Sequence, residues 1–236
     1  MPDFKLFQQL ERTFRDGPYL HRNSNLGNRI ADYLYEDLYD LDESSKFRRQ
    51  VDARRRVLNP KNVSPGIRAR RGDGSFGTPI PGSQPASVPG FAVARGTTAE
   101  VELGLEVKIL AKAMIKQIDR VMNDLRSQAS HLQEKSPRAL TIGIAAVNFA
   151  DRYISHEGDR RYPTDGSGGN PHPSQEGPKA ELRLRAVEDR FTEFLQIGFR
   201  ATNEPPYPFE LVAPARVQNE YGSILVRLSR EYDRRF

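Results

Sequence analysis

Four charged residues that could carry out chemistry alternate with apolar ones along a single stretch: Glu100, Glu102, Glu106 and Lys108. The period-two pattern predicts a strand whose acids and lysine project from the face opposite the apolar one. Carboxylate oxygens bind Mg²⁺, and a lysine orients or activates water and offsets negative charge in a phosphoryl transition state. We therefore take these four residues as candidate catalytic residues and Mg²⁺ as the candidate cofactor.

The spacing along this strand decides which acids can share a metal ion with Glu106. Lys108 lies about 7 Å from Glu106 at the backbone, so their side chains can converge on one ion and one water. Glu102 lies about 13 Å away in a straight strand, unless a bend or bulge at Gly104 shortens that distance. In the alternative interpretation, the Glu-x-Lys alternation only keeps the exposed face of a two-sided sheet soluble.

The elements that must position these residues are predicted from periodicity and from Pro and Gly. Helical spacing predicts three N-terminal helices, and six prolines and six glycines predict a long loop over 59–90. The predicted helices cover 3–15, about 25–41 and about 42–58, the last with Ser44 or Ser45 as its cap.

An alternating pattern of strands and helices follows the loop. It predicts one α/β domain over 1–236, with a helical part (1–58), the loop (59–90) and a core (91–236). The predicted core elements are a strand at 91–95, a strand at 99–109, a helix at 111–135, a buried strand at 139–147, a break at 158–177, a helix at 178–195, strands at 196–202 and 209–212, and a helix at 214–233.

The order of strands ending in Leu105-Glu106-Val107-Lys108, then a helix, then the apolar run 139–147 resembles the core of the PD-(D/E)xK nuclease superfamily. Within it, the arrangement is similar to type II restriction endonucleases. The resemblance covers 91–148, about a quarter of the chain. It implies an α/β fold with a mixed central sheet flanked by helices, here with a helical N-terminal part. It also implies that Glu106 binds the divalent metal, that Lys108 assists the attacking water, and that the enzyme forms a homodimer.

The sequence departs from the family pattern in its first acid. The family places an aspartate on the preceding strand, often after proline, whereas no aspartate lies between Gly74 and Lys108 here. Glu102 or Glu100 is therefore the favoured second metal ligand. Glu36 on the second helix is an alternative, because related cores sometimes take a carboxylate from that helix, and Asp73 is a weaker one.

The charge of the chain is unevenly distributed. The whole chain carries +5, but ten basic and three acidic residues give 43–78 a charge of +7 and leave −2 for the remainder. Clustered arginines bind phosphates and release counterions, so this stretch indicates a polyanionic partner. The alternative is a solvated helix face and a flexible loop. The candidate nucleic-acid-binding residues are Arg54, Arg55, Arg68, Arg70 and Arg71, with Lys116 and Arg120 on the helix after the strand.

Composition excludes several other classes of protein. The chain has no cysteine, so it has neither a disulfide framework nor a thiolate metal site. No apolar run approaches the roughly 20 residues that span a bilayer, which favours a cytoplasmic protein without a membrane partner. Together with the uneven charge, the resemblance to type II restriction endonucleases implies a Mg²⁺-dependent endonuclease of restriction or defence type that acts on double-stranded DNA. The alternatives are a non-catalytic nucleic-acid-binding or scaffold protein, and an enzyme acting on RNA or on a small phosphorylated substrate.

Overall fold

The computed structural model describes residues 3–20, 25–60, 73–157, 160–169 and 171–236. The helices in these residues are α1 (Lys5–Arg15), α2 (Asn25–Leu41), α3 (Ser45–Asp52), α4 (Met114–Lys135), α5 (Pro173–Leu184) and α6 (Pro214–Arg235). The strands are β1 (Val57–Asn59), β2 (Gly74–Pro79), β3 (Thr98–Leu110), β4 (Leu140–Asn148), β5 (Tyr153–Glu157), β6 (Arg160–Thr164), β7 (Glu193–Ala201) and β8 (Phe209–Leu211).

Six of these strands form a mixed central sheet in the order β1-β2-β3-β4-β7-β8. The three central strands, β3, β4 and β7, run parallel to one another, and the outer pairs are antiparallel. Strands β5 and β6 form a separate antiparallel hairpin. The predicted fold class is confirmed: a mixed α/β sheet is flanked by helices and preceded by a helical part.

Helices cover both faces of the sheet, and β4 shows why its sequence is apolar throughout. Leu140, Ile142 and Ile144 pack in the core that contains α1, α2, α3 and α6. The alternate residues Ala145 and Val147 pack in the core formed with α4 and α5. A strand buried on both faces needs apolar residues at every position, as predicted for this run.

The predicted third helix is shorter than its basic sequence indicated. Ser44 caps it, because its hydroxyl accepts a hydrogen bond of 2.9 Å from the backbone N–H of Phe47. The helix ends at Asp52, not near 58, and Arg54 adopts a left-handed φ of 53°. Residues 57–59 instead form strand β1, which pairs with β2.

The prediction of a continuous loop over 59–90 is wrong for its middle part. Strand β2 lies inside it, and residues 61–72 fall outside the described residues. This strand has no alternating pattern, because Phe76 is its single large apolar side chain. It is held by pairing with both β1 and β3, a tertiary effect that local periodicity does not encode.

Further elements and boundaries differ from the predictions. Residues 91–95 form no strand and contribute isolated bridges at Arg95. The predicted break at 158–177 holds β6, which pairs with β5. Helix α5 begins at Pro173, five residues earlier than predicted, because proline suits the first turn of a helix. It gives way after Leu184 to a 3₁₀ turn over Arg185–Arg190.

Candidate active site

Strand β3 directs Glu106 and Lys108 toward helix α4. A Cβ at Gly104 would lie 2.6 Å from the Leu132 side chain of α4, so the even-numbered residues from 104 to 108 face that helix. The odd-numbered Leu105 and Val107 pack in the opposite core. The predicted separation of acid and apolar faces therefore holds over the second half of β3.

Asp73 stands opposite Glu106, at the point where β2 begins. Its backbone N–H donates to the Leu105 carbonyl at 3.3 Å. Its carboxylate oxygen Oδ2 accepts a hydrogen bond of 2.7 Å from the backbone N–H of Val107. Since adjacent strands lie about 4.8 Å apart, this pairing brings the two carboxylates together. The weakest of the sequence candidates for the second acid is the one that the structure places beside Glu106.

Helix α2 fixes this end of β2. A Cβ at Gly27 would lie 2.2 Å from Asp73 Oδ1, so any larger residue there would displace the carboxylate. Further along the helix, the buried Tyr35 hydroxyl contacts the carbonyls of Gly74 (3.4 Å) and Leu103 (3.2 Å) on the two strands. The helix thus holds β2 against β3 and encloses one oxygen of Asp73.

Glu106 is buried, Asp73 and Lys108 are partly buried, and the charges of the three side chains interact. Burial, followed by the neighbouring Asp73 charge, raises the pKa of Glu106 to about 7. Burial likewise raises the pKa of Asp73 to about 6, against the hydrogen bond from Val107. Although burial opposes it, the Glu106 carboxylate raises the pKa of Lys108, whose Nζ lies 2.6 Å from Glu106 Oε1. Lys108 is therefore held as an ammonium group.

One oxygen of this group has no partner among the described residues. Glu106 Oε2 is buried and accepts no hydrogen bond from the part of the chain that the structure describes. A buried carboxylate oxygen without a donor is costly, and a bound cation would satisfy it. No cluster of three or more His, Asp or Glu side chains within the described ranges is arranged to hold a metal ion. Mg²⁺ does not need one, because it commonly binds one or two carboxylates together with water and substrate phosphates. Asp73 and Glu106 fit that donor set.

Glu102 lies on the same strand but has different partners. Glu102 has no partner residue on β2, because Phe76 pairs with Leu103 and Gly77 pairs with Val101. This irregularity in the register is a β-bulge. The Glu102 carboxylate binds Arg56 Nε at 2.5 Å and the Tyr232 hydroxyl at 2.6 Å. The bulge therefore joins Glu102 to α6 rather than to Glu106.

The other two candidate metal ligands also lie apart from Glu106. Glu100 is exposed near the beginning of β3. Glu36 is buried, and its carboxylate accepts hydrogen bonds from the backbone N–H groups of Ala92 (2.9 Å) and Val93 (3.0 Å). These bonds anchor the 91–95 segment to α2. The structure thus places neither Glu102, Glu100 nor Glu36 beside Glu106, and among the sequence candidates for the second acid Asp73 is the one that lies there.

The candidate phosphate-binding residues are only partly described. Arg54 and Arg55 are exposed between α3 and β1, and Arg68, Arg70 and Arg71 lie outside the described residues. Lys116 and Arg120 are exposed on α4. Arg120 lies one turn before Asp124, whose charge raises the pKa of Glu106 after the larger effects of burial and Asp73. Arg120 therefore lies on the helix that Glu106 and Lys108 face.

The carboxyl ends of the three parallel strands are tied together by one buried amide. Asn148 Nδ2 donates to the carbonyls of Ala111 (3.2 Å) and Ala201 (2.9 Å), which follow β3 and end β7. Its Oδ1 accepts from the backbone N–H groups of Ala150 (3.0 Å) and Ala201 (3.1 Å). In open α/β sheets, ligands bind at this edge. Lys108 lies two residues before it.

Comparison of the chain with protein-family models, with characterised proteins and with solved structures finds no match in any of the three. None of the helices in the described ranges has the length and apolar character needed to cross a bilayer. The case for function therefore rests on the geometry of Asp73, Glu106 and Lys108.

Proposed function

We propose that this chain is a divalent-metal-dependent endonuclease that hydrolyses phosphodiester bonds in double-stranded DNA. The observation that carries the proposal is the meeting of Asp73, Glu106 and Lys108 on two adjacent strands, with Glu106 Oε2 buried and without a partner among the described residues. A restriction or defence role in the cytoplasm is the setting that the resemblance to type II restriction endonucleases suggests.

The roles of the three residues follow from their charges and positions. Asp73 and Glu106 would hold Mg²⁺ through their carboxylate oxygens. When bound, the metal would polarise the phosphate and lower the pKa of a water molecule. Lys108 is held protonated beside Glu106, so it acts as a donor. It orients the attacking water and offsets negative charge that develops on the phosphate, rather than removing a proton.

The resemblance to the PD-(D/E)xK superfamily supports this assignment at the position of the first acid. An aspartate next to the strand before Glu-x-Lys is the family pattern, and Asp73 stands at the beginning of β2, with Gly72 where the family often has proline. A mixed sheet and a helix between two parallel strands also accord with that pattern. Restriction enzymes are often homodimers, and a dimer would bring two such sites to the two DNA strands.

The proposal is tested by cleavage of supercoiled plasmid and phage DNA with purified protein. We expect nicked and linear products with Mg²⁺ or Mn²⁺ and none with EDTA. Glu106→Gln and Lys108→Met should each lower the cleavage rate at least about 100-fold, as expected for loss of a metal ligand or a transition-state donor. DNA affinity measured without metal should change little.

Glu100→Gln provides the matched control, because it removes the same charge from an exposed position on the same strand. It should cut at the wild-type rate. Wild-type protein that binds DNA but remains inert across metals and salt concentrations would favour the non-catalytic nucleic-acid-binding or scaffold alternative. Cleavage of RNA in place of DNA would reassign the substrate.

A further inference from the structure

The β5–β6 hairpin lies at the same edge of the sheet as the candidate site. Strand β5 begins five residues after β4 ends at Asn148. The backbone N–H of Ile154 donates to the Thr202 carbonyl at 2.9 Å, just beyond the end of β7. The hairpin therefore lies over the carboxyl ends of the parallel strands.

A buried asparagine links this hairpin to the region around Asp73. Asn203 Nδ2 donates to the carbonyls of Ile154 (2.7 Å) and Tyr19 (3.1 Å), and its Oδ1 accepts from the Tyr19 backbone N–H at 2.6 Å. Tyr19 is buried, and after burial the Asp73 carboxylate is the next cause that raises the pKa of its hydroxyl. The Tyr19 backbone thus contacts Asn203, and the Tyr19 hydroxyl is near enough to Asp73 to be affected by its charge.

The two strands of the hairpin differ in exposure. Tyr153, Ile154 and Ser155 of β5 are buried against the protein. Strand β6 is the outer edge, and its first four residues, Arg160, Arg161, Tyr162 and Pro163, are all exposed. The hairpin is therefore a fixed support that presents β6 to solvent.

The exposed side chains of β6 suit a phosphate backbone. No carboxylate among the described side chains forms an ion pair with Arg160 or Arg161, whereas Arg152, just before β5, pairs with Glu204 at 2.9 Å. Arginine binds phosphate through its planar fork, and tyrosine hydroxyls also bind phosphate oxygens. Charged residues and proline also protect an edge strand from pairing with another chain. An experiment must therefore distinguish this protective role of Arg160 and Arg161 from DNA binding.

We infer that Arg160, Arg161 and Tyr162 of β6 contact the phosphate backbone of the same DNA duplex that enters the site at Asp73, Glu106 and Lys108. This inference rests on the proposed function for its choice of DNA. The contact flanks the site, so the substitutions that remove it weaken binding and leave the chemistry of bound DNA unchanged.

The experiment measures binding of duplex DNA by fluorescence anisotropy, in EDTA and over a range of salt concentrations. The test variant is the double substitution Arg160→Ala/Arg161→Ala. The matched control is Arg138→Ala/Arg190→Ala, which removes two exposed arginines from the segments preceding β4 and β7, at the opposite edge of the sheet. We expect the slope of log affinity against log salt to fall by about 2 for the test variant and to stay unchanged for the control.

A second variant, Arg160→Lys/Arg161→Lys, keeps both charges and should retain most of the slope. An equal slope in wild type and in the alanine double variant would overturn the inference. So would hairpin-dependent binding of duplex RNA without binding of duplex DNA. Cleavage is measured separately. If DNA binding depends on the hairpin but the protein never cuts DNA, the proposed endonuclease activity is wrong and the inferred hairpin contact still stands.

Discussion

Two buried glutamates on β3, four positions apart, have opposite environments. Glu102 has a cation and a hydroxyl as partners, so its charge is satisfied within the protein. Glu106 forms an ion pair with Lys108 and faces Asp73, and its second carboxylate oxygen has no partner among the described residues. Burial alone therefore does not distinguish a structural acid from a candidate metal ligand. The partners of each oxygen do.

This difference predicts that substitution of Glu102 destabilises the protein more than substitution of Glu106. Glu102→Gln should lower the free energy of unfolding by about 2–3 kcal/mol, because it leaves Arg56 without its buried counter-charge. Glu106→Gln should cost less than about 1 kcal/mol or stabilise the protein, since it removes a carboxylate that burial disfavours. Urea denaturation of the two variants measures both values. A larger loss for Glu106→Gln would show that Glu106 is the structural residue.

The raised pKa values of Asp73 and Glu106 predict how stability depends on pH. Their pKa values of about 6 and about 7 in the folded protein exceed the ordinary 3.8 and 4.5, so the folded state binds these protons more tightly than the unfolded chain. The resulting stabilisation is complete below about pH 4 and is lost as the pH rises through 6 and 7.

Asp73→Asn/Glu106→Gln should flatten the pH dependence of the urea midpoint in that window. Mg²⁺ should stabilise the wild-type protein more at pH 8 than at pH 5.5, because metal binding requires the deprotonated carboxylates. An unchanged pH profile in the double variant would contradict the coupling of these groups.

At the scale of elements, the site depends on helix α2 lying directly against the beginning of β2. Gly27→Ala should help an isolated helix, because alanine is favoured over glycine by about 1 kcal/mol in a helix interior. In this protein the added methyl group would meet Asp73 Oδ1, which a Cβ approaches to 2.2 Å. We expect cleavage and Mg²⁺ affinity to fall about tenfold or more, with far-UV circular dichroism unchanged.

Asn28→Ala, one residue further along the same helix, is the control for a general effect of α2 on the site. It should leave both cleavage and Mg²⁺ affinity near wild type. Equal cleavage rates for Gly27→Ala and wild type would mean that cleavage does not depend on the position of the Asp73 carboxylate.

The elements with strong local patterns are those that the sequence predicted. Strand β3, helix α4 and strand β4 follow from alternation, helical spacing and a continuous apolar run, and Glu106 and Lys108 come with them. Strand β2 has glycine and serine where a periodic pattern would need apolar residues, so its sequence predicts a loop. Spacing along the chain does not single out Asp73 either, because its position beside Glu106 depends on pairing across the sheet.

At the scale of the whole molecule, the basic stretch and the candidate site are parts of one segment. Residues 43–78, with their charge of +7, include α3, β1, Asp73 and most of β2. The segment that carries the excess positive charge therefore also contains Asp73, one of the two carboxylates of the candidate site. Covalent continuity keeps the proposed phosphate-binding stretch next to the proposed metal ligand Asp73. The binding and cutting of a polyanion are accordingly expected at one edge of the protein.

The central claim is that Asp73 and Glu106 form a metal-dependent site, and one measurement tests it most directly. Mg²⁺-dependent cleavage of supercoiled plasmid is compared in wild type, Asp73→Asn and Glu100→Gln. Asparagine can still accept the hydrogen bond from Val107, so this substitution removes the charge while keeping the contact that holds β2. We predict that wild type and Glu100→Gln cut at similar rates and that Asp73→Asn is at least about 100-fold slower. Wild-type cleavage by Asp73→Asn, or its loss in Glu100→Gln, would contradict this account.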